Sequence, residues 1–197
     1  LDPFGPDVGL PVPSLTADIV TVSHQHTDHN NVATIKASAR RNTPFVITQA
    51  GEYEVGGISV FGTRTFHDAQ EGAERGENIV FTVLLDGIRV CHLGDLGHIF
   101  EDKQIDAIGA VDILMIPIGG KYTLDSAMAE KVVSQLEPKL ILPMHYQLPN
   151  LKMELEKVEK FCDDLGNETE KNVPKLVLKK KDLEEQNGKI IVLDIAN

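Results

Sequence analysis

The segment Ser23-His24-Gln25-His26-Thr27-Asp28-His29-Asn30 packs three histidines and an aspartate into the six positions from His24 to His29. Imidazole nitrogens together with a carboxylate are the donor set that suits zinc, or iron and manganese at similar geometry. In extended backbone, residues i, i+2 and i+4 project to one side, so His24 and His26 can grip one ion while Asp28 leans towards a neighbouring site. His29 then needs a turn to join Asp28. A histidine-rich surface loop is the plainer alternative, but the density of donors directly behind a strand-like run favours metal chemistry.

Such a run acts only if the fold holds it. Residues 18–23 read DIVTVS, a β-branched stretch expected to be a buried strand that the polar cluster 24–31 ends. A short helix is expected over about 32–40. Strands follow at 45–48, 52–55 and 58–61, the last two joined by Gly56-Gly57, a two-residue turn that favours a hairpin. A second hairpin is expected for 78–85 and 88–92 across Asp86-Gly87, which makes the first half mostly antiparallel sheet. The second half changes rhythm: a strand at 112–117, a helix from about 124 to 136 and a strand at 139–144 form a βαβ unit. Leu124, Met128, Val132 and Leu136 mark one face of that helix. Leu151, Leu155, Val158, Cys162 and Leu165 recur at helical spacing and predict an amphipathic helix after Pro149. Strands at 175–180 and 190–195 close the chain, with Lys179 to Lys181 as a solvated edge that discourages pairing. With no internal repeat and no linker, residues 1–197 read as one domain.

The run His24-Gln25-His26-Thr27-Asp28-His29 resembles the H-x-H-x-D-H signature of the metallo-β-lactamase superfamily. The resemblance continues at Thr65-Phe66-His67-Asp68, His92-Leu93-Gly94-Asp95 and Pro143-Met144-His145-Tyr146. Together with Pro117-Ile118-Gly119-Gly120, the last segment is most similar to the branch that holds L-ascorbate-6-phosphate lactonase and many uncharacterised metal-dependent hydrolases. The resemblance implies an α/β fold, the four-layer αββα sandwich. Asp2-Pro3 resembles the aspartate that this fold carries just before the signature. Because the family's fold opens with two or three strands before that point, and the chain starts at Leu1 rather than Met, the first strands are expected to be missing from it.

What the resemblance implies for the site is specific. His24, His26 and His67 would hold one metal, Asp28, His29 and His145 a second, and Asp95 would bridge both. The cofactor would be two divalent ions, zinc first, with manganese or iron as alternatives, roughly 3.5–4 Å apart and sharing a water. Asp28 and Asp95 would be the catalytic carboxylates, Asp95 holding the pair and Asp28 orienting the metal-bridging hydroxide. His92 is the rival of His67 for the third ligand position, but it stands three residues before Asp95 at opposite strand parity. His98 is expected to contact substrate or to support a ligand. Asp68 is read as a turn-capping residue and Cys91 as a buried apolar one.

Composition narrows the partners. The chain has 30 Asp and Glu against 19 Lys and Arg, a net charge of −11, which opposes the phosphate backbone of nucleic acid. No apolar stretch approaches the roughly 20 residues of a membrane span. Two cysteines, Cys91 and Cys162, do not make a disulfide framework, so a reducing, cytoplasmic location is expected. The partner is then a small-molecule substrate, with a homo-oligomer left open. Between the strand and helix of the βαβ unit lies Ile118-Gly119-Gly120-Lys121-Tyr122-Thr123, whose glycines permit close approach and whose helix start favours an anion. A small anionic ester, lactone or phosphodiester is expected, with Lys121 and Tyr122 contacting it. Three rival readings exist: a non-catalytic metal-binding or sensor module, a dinuclear redox protein resembling the flavodiiron proteins, and a nuclease of the same fold. The second has Glu where this chain has His26 and an added flavin domain; the third wants a basic approach surface.

Overall fold

A computed structural model describes residues 1–195. The dominant feature is an eight-stranded sheet in the order β11-β12-β10-β9-β8-β7-β6-β5. Its members are β5 (Gly51–Val55), β6 (Ile58–Phe66), β7 (Glu77–Leu85), β8 (Ile88–His92), β9 (Ile113–Pro117), β10 (Leu140–Met144), β11 (Thr169–Val173) and β12 (Lys189–Leu193). Two short parallel ladders supply the second β layer: β1 (Thr16–Ala17) with β3 (Lys36–Ala37), and β2 (Ile19–Thr21) with β4 (Phe45–Ile47). The helices are α1 (Asp102–Ile108), α2 (Ser126–Leu136) and α3 (Val158–Leu165).

Both expected hairpins form: Val55 pairs with Ile58, and Leu85 with Ile88. Alternation then sorts the strands onto two faces. Val80, Cys91, Leu114, Ile116, Ile141 and Ile190 pack in one core with α1, α2 and α3 residues such as Ile108, Val132 and Phe161. Their neighbours in sequence, among them Ile79, Phe81, Ile113 and Ile191, face the opposite side in two smaller clusters. No helix among the described residues is long and apolar enough to cross a membrane.

Three of the expected elements form differently. Residues 32–40 are not a helix: a single 3₁₀ turn, Val32–Thr34, is closed by the Thr34 hydroxyl on the Asn31 carbonyl at 2.8 Å. The Lys36 and Ser38 N–H groups then bond the Leu15 and Ala17 carbonyls, drawing the chain into the β1–β3 ladder. Helix α3 starts at Val158 rather than near 151, because the Leu155 N–H donates to the Gln147 side chain and the Glu156 N–H to the Gly119 carbonyl. These groups are spent on tertiary contacts and cannot open a helix. The strand expected at 175–180 lies earlier, at β11, and ends before Pro174, which has no N–H to continue a ladder. Leu176 and Leu178 instead pack against the cluster of Ile88, Ile113, Leu140, Leu183 and Ile191.

Strand direction fixes the position of the site. β6 and β8 are both antiparallel to β7, while β9 and β10 are parallel to β8, so β6, β8, β9 and β10 all end at one rim. His67 follows β6, Asp95 follows β8, and His145 follows β10. The histidine-rich segment follows β2 and reaches the same rim from the second layer.

Candidate metal centre

Four imidazoles converge on Asp95. Its Oδ2 lies 3.2 Å from His67 Nε2, 3.5 Å from His145 Nε2 and 3.9 Å from His24 Nε2, and its Oδ1 lies 3.4 Å from His29 Nε2. Asp28 stands 3.7 Å from His29 Nε2 at the more open edge. His26, mostly exposed, sets its ring edge-on to His24, with centroids 4.6 Å apart, and 5.1 Å from His67. Donor atoms of His24, His26 and His67 lie within 4.8 Å of one another, as do those of Asp28, His29 and His145. These are the two triads that the resemblance implies.

The donors fit cations. His24, His67 and Asp95 are 6%, 2% and 3% exposed, yet His24 Nε2 and Asp95 Oδ1 are buried without a hydrogen-bond partner. A lone pair buried that way costs free energy unless something binds it. A divalent ion between the imidazoles and the carboxylate would satisfy both.

Asp2 supports the cluster from behind. Its Oδ1 accepts the Ser23 N–H at 2.8 Å, and its Oδ2 accepts from the Ser23 hydroxyl and from His29 Nδ1, the latter at 3.0 Å. Ser23 Oγ, having donated to Asp2, accepts from His24 Nδ1 at 2.9 Å. One carboxylate thereby keeps protons on the Nδ1 atoms of His24 and His29 and leaves both Nε2 atoms to face Asp95. Burial would raise the Asp2 carboxyl, but the bonds from His29 and Ser23 and the charge of neighbouring histidines bring it down to about 2. Burial chiefly, with His29 close by, pushes His24 down to about 4, so its imidazole is neutral at physiological pH. His29 is the opposite case: burial disfavours its charge, but Asp2 and Asp95 outweigh that and raise it to about 10. A cation entering at Nε2 would take the place of that proton. Asp95, despite burial, is held well below the ordinary carboxylate range by His29, His67 and His145.

His92 stands outside the triads. It is 5% exposed, and its Nδ1 accepts the Gly94 N–H at 3.2 Å. His98 is committed to backbone through both ring nitrogens, accepting the Phe66 N–H at 3.1 Å and donating to the Ile99 carbonyl at 2.8 Å. It braces the strand end that presents His67. Asp68, the next residue, accepts four N–H groups, from Gln70, Gly72, Glu74 and Arg75, at 2.7–3.0 Å. Burial opposes the Asp68 charge, but those donors hold its carboxyl below the usual value.

The loop after β9 differs from expectation. Gly119 lies so close to the His145 carbonyl that a side chain there has no room, so its close approach is to the ligand-bearing loop. His145 itself takes a left-handed backbone, φ 51°. Helix α2 begins at Ser126, and the Asp125 carboxylate already caps its Met128 N–H at 2.8 Å, which removes the helix start as an anion site. Lys121 and Tyr122 nevertheless line a cleft of about 200 Å³ together with His67, Asp68 and Arg75. Lys121 Nζ and the Arg75 guanidinium lie 5.7 and 5.9 Å from the Tyr122 ring. Arg75 carried no sequence signal, because only the Asp68 turn brings it there. A larger cavity of about 460 Å³, with walls such as Phe4, Met115 and Leu155, opens on the Asp28, His29 and His145 side.

This cluster of candidate metal ligands at one rim of a mixed sheet has the arrangement of the metallo-β-lactamase fold. Residues 1–145 match the beta-lactamase superfamily domain, and the chain belongs to that family. It is 27% identical over 189 residues to a UPF0173 metal-dependent hydrolase of Thermococcus onnurineus, covering 83% of this chain and 84% of the relative. A UPF0173 metal-dependent hydrolase of Carboxydothermus hydrogenoformans is 32% identical over 171 residues, 74% of this chain and 75% of its own. A crystal structure from Thermotoga maritima, described as a candidate Zn-dependent hydrolase of the metallo-beta-lactamase superfamily, superposes with a TM-score of 0.74 at 36% identity. It covers 98% of this chain and 88% of that one.

Proposed function

We propose that the chain is a metal-dependent hydrolase with a dinuclear centre, in which His24, His26 and His67 hold one divalent ion, Asp28, His29 and His145 hold the other, and Asp95 bridges them. The observation that carries this reading is the convergence of four Nε2 atoms within 3.9 Å of the Asp95 carboxylate. Two divalent ions held by these residues, zinc first by donor set, would supply a water of near-neutral pKa and a Lewis acid for the oxygen under attack. The protein's own part is to hold and orient. Asp2 and Ser23 fix the ligand tautomers, Asp28 at the open edge orients the attacking hydroxide, and the apolar walls around His29 and His145 keep competing water away.

The name of the relatives supports hydrolysis, and the cleft beside His67 supports an anionic substrate. Among the described residues, the carboxylate partners of Arg75 and Lys121 are the exposed Glu74 at 3.7 Å and Glu154 at 3.8 Å, so an ester, lactone or phosphodiester with a phosphate or carboxylate could draw on both cations. Tyr122 stands between them. His98, with both nitrogens used, acts through His67 rather than on substrate. The reading places the enzyme in a reducing cytoplasm, consistent with two buried free cysteines, Cys91 and Cys162. At −11 net charge, nucleic acid is a poor partner.

A hydrolysis screen with paired anionic and neutral lactones, phosphodiesters and esters tests the proposal. Turnover that requires added zinc or manganese, with Lys121→Ala raising KM for the anionic member several-fold more than for its neutral analogue, is the expected result. Equal effects on both members would discard the anion cleft and leave the metal chemistry standing, whereas no metal-dependent turnover of any ester, lactone or phosphodiester would count against the hydrolase.

A further inference from the structure

Asn78, near the start of β7, is 0% exposed. Its Nδ2 donates to the Leu93 carbonyl at 2.9 Å and to Thr65 Oγ1 at 2.8 Å, and its Oδ1 accepts the Asp95 N–H at 3.0 Å. Both amide protons and the amide oxygen are used. Thr65 stands two residues before His67 and returns its hydroxyl proton to the Asn78 carbonyl at 3.0 Å. The next N–H, that of Ile79, donates to the Ser23 carbonyl, one residue before His24, at 2.9 Å. Three ligand-bearing segments therefore meet at residues 78–79.

Asp95 needs such a clamp. It follows Gly94, whose φ of +57° is a conformation glycine adopts and leaves easily. Gly94 packs so closely on Asn78 Oδ1 and Ser23 that no side chain fits between them. A turn about Gly94 would move the Asp95 carboxylate relative to the four imidazoles around it. The sheet ladder does not prevent that: it holds the chain as far as Leu93, whose N–H donates to the Met115 carbonyl at 3.0 Å, but Gly94 and Asp95 lie beyond it.

We propose that Asn78 is a positioning residue of the centre: by holding the Asp95 N–H, the Leu93 carbonyl and Thr65 in one network, it sets the bridging carboxylate relative to His67 and His24. This rests on the reading of the site as a metal centre. Cobalt(II) titration followed by visible absorption tests it without reference to any substrate. The variants are Asn78→Leu, which keeps the branched shape but none of the hydrogen bonds, and Asn78→Ala. Thr82→Ala, four residues along the same strand and equally buried, controls for lost packing.

Either folded Asn78 variant should bind cobalt about 10–100-fold more weakly, the range typical of groups that orient metal ligands, with a changed ligand-field band. Thr82→Ala should lower the melting temperature but keep the parental spectrum and affinity. A folded Asn78 variant with the parental spectrum would overturn the proposal. So would a Thr82→Ala spectrum altered to the same extent, or failure of both Asn78 variants to fold while Thr82→Ala folds. A parent that takes up no cobalt would remove the metal reading itself, an outcome visible before any variant is made.

Discussion

His29 Nδ1 lies 3.0 Å from Asp2 Oδ2, across 27 residues of sequence, while its Nε2 lies 3.4 Å from Asp95 Oδ1. A single ring thus stands between two carboxylates, hydrogen-bonded to Asp2 at the rear and facing Asp95 at the front. The rear contact, with Asp2, decides which nitrogen carries the proton and leaves the front one for a cation.

Asp2→Ala should therefore weaken binding at both ions, since it removes the acceptor of His29 directly and that of His24 through Ser23. The expected loss is about 10–100-fold, read by competition with a chromophoric chelator. Unchanged affinity would mean that the ring orientations are set by packing alone.

His67 and His92 are separated by a second pair of variants. His67 lies 3.2 Å from Asp95 and within reach of His24 and His26, whereas His92 belongs to neither triad. His67→Ala should strip metal, with losses beyond the 10–100-fold of a supporting residue, and His92→Ala should retain it. The reverse pattern would transfer the ligand role to His92.

Much of this centre was legible in sequence because its donors sit at strand ends, and strand ends are marked by apolar runs that stop. His24, Asp95 and His145 could be placed that way. Asp2 was visible only as the partner of a motif, and its grip on Ser23 and His29 was not. Arg75 and Asn78 were beyond reach: one depends on a turn built by four N–H groups on Asp68, the other on a side-chain amide spanning segments 15 and 17 residues away. The missed elements follow the same rule. Helix 32–40 and the early start of α3 fail because backbone groups there bond distant partners, which no local periodicity records. Helix α1 carries a local signal of its own, the Glu101-to-Gln104 pairing, in which Gln104 Oε1 accepts the Glu101 N–H at 3.0 Å, although its cap, Glu101, is not the Ser, Thr, Asp or Asn that usually marks a helix start.

Acid sensitivity should appear far from the metals. Asp112 accepts the Arg89 N–H at 2.8 Å and both its oxygens bind Lys180 Nζ, which ties the 3₁₀ turn Lys180–Leu183 to the starts of β8 and β9. Burial would raise its carboxyl, but Lys180 and the Arg89 N–H hold it below the ordinary value. With the folded pKa below the unfolded one, this stabilisation is complete above the unfolded carboxylate pKa, near 4, and is lost as pH falls through the folded value. Asp112→Asn should cost about 1 kcal/mol in urea unfolding at neutral pH, and the gap to the parent should close in strong acid. A gap that does not vary with pH would show that the charge contributes nothing.

Metal content is the most direct measure of the dinuclear claim. Elemental analysis of purified, zinc-supplemented protein should approach two equivalents per chain, and Asp95→Ala, which removes the shared ligand, should lower both sites together rather than one. A parent that saturates at one equivalent or none with His24, His26 and His67 intact, or an Asp95→Ala variant that still holds two, would contradict the account.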